Sequence, residues 1–145
     1  MAAQVAQEFP VKRSILLTPD PIDEPALTAG RVFSDTAGAV VCFTGCVRNR
    51  EAERPLAALE YEAFPAMAIR QFEHLLDQAA ATWPLQSVEV VHRTGIVRAG
   101  EASVWIRVVG PHRAEALAAC GWILDEMKRV VPIWKRPIWD SETDA

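Results

Sequence analysis

Five basic residues stand where the chain is expected to change from one secondary-structure element to the next. They are Arg48 after a predicted strand, His112 and Arg113 at the start of a predicted helix, Lys128 near the end of that helix, and Lys135 just beyond it. Arginine and lysine side chains fixed near helix termini are a common way for proteins to hold phosphate and other anions. The pattern therefore predicts a site for a small anion.

Other catalytic and metal-binding patterns are missing from the sequence. It has no glycine-rich nucleotide loop, no HExxH and no GxSxG, and His74, His92 and His112 are far apart. We therefore expect no metal site. His92 and Arg93 fall inside a predicted strand region and are interpreted as structural residues.

The three cysteines predict free thiols. Cys42, Cys46 and Cys120 form no CxxC pair, and an odd number without a secretory signal argues against a disulfide framework. Cys46 invites a nucleophile or persulfide hypothesis. A cysteine in a strand is more often a small core residue, and this interpretation is favoured.

The charge distribution favours a small anionic ligand over nucleic acid. The net charge is −4, so the whole chain repels polyanions, yet the stretch from Met127 to Trp139 holds basic residues and no acid. The longest apolar run, 38–47, is too short for a membrane span of about 20 residues. With no signal-like apolar region at the start of the sequence, we expect a cytoplasmic protein that binds neither membrane nor nucleic acid.

The periodicity of apolar residues predicts one α/β domain over residues 1–145, with loose ends at 1–12 and 140–145. Apolar residues at spacings of three or four predict helices, and β-branched runs predict strands. Expected helices cover 26–33, 65–83 and 112–131. Expected strands cover 14–17, 38–47 and 56–64, then two or three antiparallel strands within 87–109, and an edge strand or extended arm at 133–139, where Pro137 disfavours a central position.

Five sequence motifs resemble those of the MoaE family, the large subunit of molybdopterin synthase. In chain order they are FTGCVRNR, LEYEAFPAM, VVHRTGIVRAGE, PHRAEALAAC and MKRVVPIWKR. The similarity runs from about residue 38 to residue 139. It implies an α/β hammerhead fold with an additional antiparallel β subdomain.

The resemblance also implies an activity and partners. A homodimer of large subunits would bind a ubiquitin-like, MoaD-type small subunit at each end, giving a 2:2 heterotetramer. The small subunit's C-terminal Gly-Gly thiocarboxylate would supply the sulfurs that convert cyclic pyranopterin monophosphate to molybdopterin, so no further cofactor is expected. Lys128 and Lys135 match the catalytic lysines of the family, whereas Arg48, His112 and Arg113 match residues that hold the pterin and its phosphate.

The sequence departs from the family pattern at three places. Cys46 replaces a residue that is commonly basic, Gly110 replaces a serine expected to cap the following helix, and the tail ends six residues after Trp139. These departures keep open an alternative, a non-catalytic homologue that only binds the small subunit. Without the resemblance, Lys128 and Lys135 would be interpreted as solvated surface charges. Trp134 is a further candidate for the groove that holds the partner's tail.

Helix length adds a prediction about assembly. Sixteen residues separate His112 from Lys128, so one continuous helix places their Cα atoms about 24 Å apart. A single pterin does not reach both. We therefore expect each site to combine Arg48, Lys128 and Lys135 of one protomer with His112 and Arg113 of the other, in an obligate homodimer.

Overall fold

The computed structural model describes residues 11–140, which form two β-sheets and three helices. The elements in chain order are β1 (Lys12–Thr18), α1 (Glu24–Thr28), β2 (Ala39–Cys46), β3 (Arg50–Glu51), β4 (Arg54–Ala63), α2 (Pro65–Thr82), β5 (Ser87–Arg93), β6 (Gly95–Arg98), β7 (Ala102–Gly110), α3 (Arg113–Val130) and β8 (Ile133–Trp139). The predicted α/β class is confirmed. No helix among the described residues is long and apolar enough to cross a membrane.

The first sheet has the strand order β1-β5-β7-β2 and carries the main core on one face. β1 runs parallel to β5, and the other neighbours are antiparallel. Alternate residues of β5 and β7 are buried against α2 and α3, as expected of a sheet with helices on one face. Buried apolar residues recur at spacings of three or four along both helices and form one apolar face on each. They include Phe72 and Leu76 of α2 and Cys120, Ile123 and Met127 of α3.

The second sheet is a small antiparallel unit built on β4. β6 pairs with the middle of β4, β8 pairs along most of it, and β3 forms a hairpin with its beginning. A second small core holds Val47, Leu56, Leu59 and Val97. β8 has a single strand neighbour among the described residues, so the prediction of an edge strand is confirmed. This sheet corresponds to the expected additional antiparallel subdomain.

The structure corrects several predicted elements. The helix expected at 26–33 is the shorter α1, which begins after Asp23 because that side chain accepts a hydrogen bond from the Ala26 N–H, and which ends before Gly30 at positive φ. The region 87–109 does contain three strands, but β6 joins the second sheet and β5 and β7 join the first. The first strand already begins at Lys12, whereas residues 1–10 and 141–145 of the predicted loose ends lie outside the described residues.

Gly110 is not a helix cap. It is the last residue of β7, and the N-cap of α3 is His112, whose side chain makes no capping hydrogen bond. The expectation that position 110 caps the following helix is therefore wrong. The Cα of Gly38 lies against the backbone of Pro111, where an added Cβ would come within 1.9 Å of the Pro111 carbonyl oxygen, so this contact requires glycine.

Candidate functional site

A cavity of about 890 Å³ opens where the two sheets meet the C-terminal half of α3. We call it the basic cavity. Its wall comes from six parts of the chain: residues 43–48, the β3 pair Arg50 and Glu51, Leu59 and Tyr61 of β4, His92 of β5, Ser103 and Val104 of β7, and residues of the C-terminal half of α3 and of β8 between Gly121 and Lys135. Its size suits a small organic ligand.

Three of the five predicted site residues line the basic cavity. Lys128 lies in the last turn of α3, Lys135 lies on β8, and Arg48 follows the end of β2. All three side chains are exposed to solvent. They meet because α3 ends at Val130 and Pro132 follows its C-cap, so that the chain turns back and β8 returns past the same opening.

Glu51, which no sequence pattern indicated as a site residue, also faces the cavity. The carboxylate of Glu51 accepts from the ammonium of Lys135, with Nζ and Oε1 3.0 Å apart. Glu51 is brought there by the β3–β4 hairpin, whose two turn residues, Ala52 and Glu53, have φ of 51° and 61°. Such turns usually carry Asn-Gly, so the segment gives no hairpin signal in the sequence.

His112 and Arg113 do not line the basic cavity. They are exposed at the N-terminal end of α3, and the helix is continuous from Arg113 to Val130. The helix predicted at 112–131 is thus confirmed, and its length separates His112 from Lys128 by about 24 Å. Within the described chain, one copy brings together three of the five candidates and leaves two at the other end.

His92 lines the basic cavity, although sequence analysis interpreted it as structural. It is 6% exposed, and its Nδ1 lies 2.7 Å from the Arg93 carbonyl oxygen. Its ring meets the ring of Tyr61 edge-on, with centroids 5.2 Å apart. Burial lowers the pKa of His92, whereas the hydrogen bond to Arg93 opposes that change. Only the pairing of β5 with its neighbours brings it to the cavity, so local periodicity does not reveal its position.

Arg93 has the structural contacts that were expected of it. It is buried, and its Nη2 donates to the carbonyl oxygens of Pro19 and Ile96, at 3.1 and 3.4 Å. Its Nη1 lies 3.5 Å from a carboxylate oxygen of Glu101. These contacts connect the end of β5 to the β1–α1 loop and to β6.

Cys46 is exposed and lines the basic cavity, so its interpretation as a core residue is wrong. The β2–β7 register shifts between Gly45 and Cys46, and every residue from 43 to 48 contributes to the cavity wall. Such an irregularity ends the strict alternation of side chains. The three cysteines are free, and burial raises the pKa of the Cys120 thiol.

Trp134 does not line the basic cavity with its neighbour Lys135. Successive residues of a strand point to opposite faces, so Ile133 and Lys135 reach the cavity while Trp134 packs edge-on against Phe64, with centroids 5.3 Å apart. The described residues contain no group of three or more His, Cys, Asp or Glu side chains that could hold a metal ion.

Comparison with known proteins identifies relatives in sequence. Residues 17–130 match the family described as MoaE protein, a span that includes every site candidate except Lys135. A rice protein (Oryza sativa subsp. indica) named molybdopterin synthase catalytic subunit is 43% identical over 105 residues, which cover 72% of this chain and 54% of the rice protein. The match thus spans about half the length of that relative.

Solved structures of molybdopterin synthase and of molybdopterin-converting factor have a fold similar to that of this chain. A crystal structure of molybdopterin synthase from Staphylococcus aureus is 33% identical, with a TM-score of 0.77 over 88% of this chain and 90% of that one. A chain in a complex of subunits 1 and 2 of molybdopterin-converting factor from Helicobacter pylori is 21% identical, with a TM-score of 0.63 over 90% of this chain and 91% of that one, and it supports the fold alone. The extent of the family match and the S. aureus structure agree with the motifs and the two-sheet architecture, and the chain belongs to the MoaE family.

Proposed function

We propose that this chain is the catalytic subunit of a molybdopterin synthase. It would convert cyclic pyranopterin monophosphate to molybdopterin, with both dithiolene sulfurs donated by the C-terminal thiocarboxylate of a small subunit. The observation that carries the proposal is the meeting of Arg48, Lys128 and Lys135 in one cavity of a MoaE-family chain.

The charges of the basic cavity suit both reactants. The phosphorylated pterin and the thiocarboxylate are anions, and the cations at one opening, Arg50 together with Arg48, Lys128 and Lys135, attract them and hold them close together. Lys128 and Lys135 supply positive charge where negative charge builds up as sulfur adds to the pterin. An ammonium group beside the reacting atoms can also donate a proton to the departing oxygen.

The ion pair of Lys135 with Glu51 gives the cavity a resting arrangement. The carboxylate of Glu51 occupies the position at Lys135 that a substrate anion would take. The pair is partly exposed, so its net contribution is small, roughly 1 kcal/mol or less, and an incoming phosphate or thiocarboxylate can displace it.

His112 and Arg113 would complete the site from a second copy of the chain. The first N–H groups of a helix favour an anion, and His112 leaves them without a side-chain cap. Because these groups are about 24 Å from Lys128 in the same chain, we propose a homodimer with two composite sites.

The proposed partner is a ubiquitin-like small subunit of the MoaD type, with a 2:2 assembly. The H. pylori structure, a protein–protein complex of two molybdopterin-converting factor subunits, supports a partner of this kind for a chain of this fold. The tail of the small subunit would enter the basic cavity. A cytoplasmic location stays a prediction from the sequence.

The decisive experiment mixes the chain with a thiocarboxylated small subunit and cyclic pyranopterin monophosphate and measures dithiolene product. A small subunit that ends in an ordinary carboxylate is the matched control and should give no product. Binding of the small subunit without turnover would contradict the proposal and favour the non-catalytic homologue.

A further inference from the structure

The ring of His92 is held in one orientation beside the basic cavity. Its Nδ1 lies 2.7 Å from the Arg93 carbonyl oxygen, which only accepts hydrogen bonds, so Nδ1 carries the proton. The edge-on contact with Tyr61 holds the ring from the second sheet. In the neutral ring the other nitrogen, Nε2, is then a hydrogen-bond acceptor with a fixed direction.

The surroundings keep this ring neutral. His92 is 6% exposed, and burial lowers the pKa of its imidazole because the charged form loses its hydration. The guanidinium of Arg93 follows directly in the chain and is itself buried, with Nη2 donating to Pro19 and Ile96 and Nη1 3.5 Å from a carboxylate oxygen of Glu101.

The Nε2 atom is free to meet a ligand. It makes no hydrogen bond to any other described residue, and it is not among the buried polar atoms that are sealed from solvent without a partner. The residue lines the basic cavity, and its small remaining exposure agrees with an Nε2 atom that faces that wall. A nearly buried acceptor without a partner is costly unless a ligand or water satisfies it.

The chemistry of the cavity indicates which ligand group would do so. The cationic side chains of the cavity only donate hydrogen bonds. Its two carboxylates, Glu51 and Asp125, are charged acceptors, and Glu51 is already paired with Lys135. A neutral imidazole accepts from an N–H of an anionic ligand without repelling its charge. The adjacent wall is apolar or aromatic, with Leu59 and Tyr61, which suits a flat heterocycle better than a flexible peptide.

We propose that His92 is a substrate-contacting residue whose Nε2 accepts a hydrogen bond from a ring N–H of the pterin and thereby sets the orientation of the ring. This assignment rests on the proposed function, because it takes the phosphorylated pterin as the ligand. The partner's tail is not the ligand of this nitrogen.

The test compares two variants that each keep one half of the imidazole. His92→Asn retains a donor toward the Arg93 carbonyl and lacks an acceptor at the Nε2 position, whereas His92→Gln retains an acceptor near that position. For cyclic pyranopterin monophosphate without small subunit, His92→Asn should raise Kd about tenfold, the loss of one hydrogen bond, and His92→Gln should raise it less. Small-subunit affinity should stay unchanged in both.

A measurement on the unmodified protein avoids any folding defect of the variants. The ¹⁵N resonance of His92 Nε2 should move when the pterin is added alone and stay in place when the small subunit is added alone. An unmoved resonance with saturating pterin, an unchanged pterin Kd in His92→Asn, or a shift that appears only with the small subunit would each overturn the proposal. Turnover by the wild-type chain tests the proposed function separately, because pterin binding at His92 does not require product formation.

Discussion

Both ends of α3 carry basic residues, but the surroundings of these residues differ. At the C-terminal end, Lys128 and Lys135 share a walled cavity with Arg48, an opposing carboxylate and a buried histidine. At the N-terminal end, His112 and Arg113 are exposed and do not reach that cavity. One chain thus brings together the greater part of the proposed site, and in the proposed homodimer a second chain would supply the rest.

The largest effect is expected when the positive charge of Lys128 is removed from the cavity end of α3. Lys128→Ala should lower product formation more than about hundredfold, because it removes charge from the reacting region. Its melting temperature should barely change, since the side chain is exposed. Arg129→Ala is the matched control: Arg129 is the next residue, pairs with Glu126 instead of entering the cavity, and should keep full turnover. Activity of Lys128→Ala within about threefold of wild type would remove Lys128 from the mechanism.

A mixing experiment tests whether the two ends of α3 belong to one composite site. A heterodimer of Lys128→Ala and Arg113→Ala chains should regain about half of wild-type activity, because one of its two sites contains neither substitution. A heterodimer of Lys128→Ala and Lys135→Ala should stay inactive, since both substitutions affect the cavity end and each site then carries one. Equal activity in the two heterodimers, or full activity in a stable monomer, would contradict the shared site.

The ion pair inside the cavity predicts a smaller, opposite effect. Glu51→Gln should lower the KM for the pterin about two- to fivefold, because Lys135 is then free to bind the substrate anion. Glu53→Gln, two residues further along the same hairpin, is the control and should leave KM unchanged. A raised KM in Glu51→Gln would mean that the carboxylate holds Lys135 in place for the substrate.

The buried histidine predicts a pH dependence of stability at the cavity end. Burial lowers the pKa of His92 below its ordinary value, so between the folded pKa and about pH 6.5 the unfolded chain binds more protons than the folded one. The contribution of His92 to the free energy of unfolding is therefore complete above that pH window and is lost as the pH falls through it. The urea concentration at the midpoint of unfolding should fall between about pH 7.5 and about pH 5.5 in the wild type, and it should fall less in His92→Asn. An equal fall would show that other groups cause the dependence.

The smallest expected effect is at the exposed thiols. Cys46→Ser and Cys42→Ser should each keep activity within about twofold, because in the proposed reaction the small subunit carries the sulfur and no thiol of this chain is required. Mass spectrometry of the wild-type protein during turnover provides the complementary measurement. A persulfide on Cys46 that passes into product would contradict this prediction.

Local features of the sequence were enough to predict much of this protein. Apolar residues at helical spacing, with Pro111 and Pro132 at the limits, predicted α3 to within a residue at each end. Pro137 predicted the edge position of β8. The motifs predicted the family, and the rise of an α-helix alone implied that His112 and Lys128 do not meet in one chain.

Other features depended on contacts between distant segments. The sequence does not reveal that β6 belongs to the second sheet while β5 and β7 belong to the first, because strand partners are decided by packing and not by local pattern. The hairpin that brings Glu51 to Lys135 lacks the usual turn residues, and only the pairing of β5 brings His92 to the cavity wall beside Tyr61. Periodicity reports which face of an element is buried, whereas the tertiary structure decides which other element lies against that face.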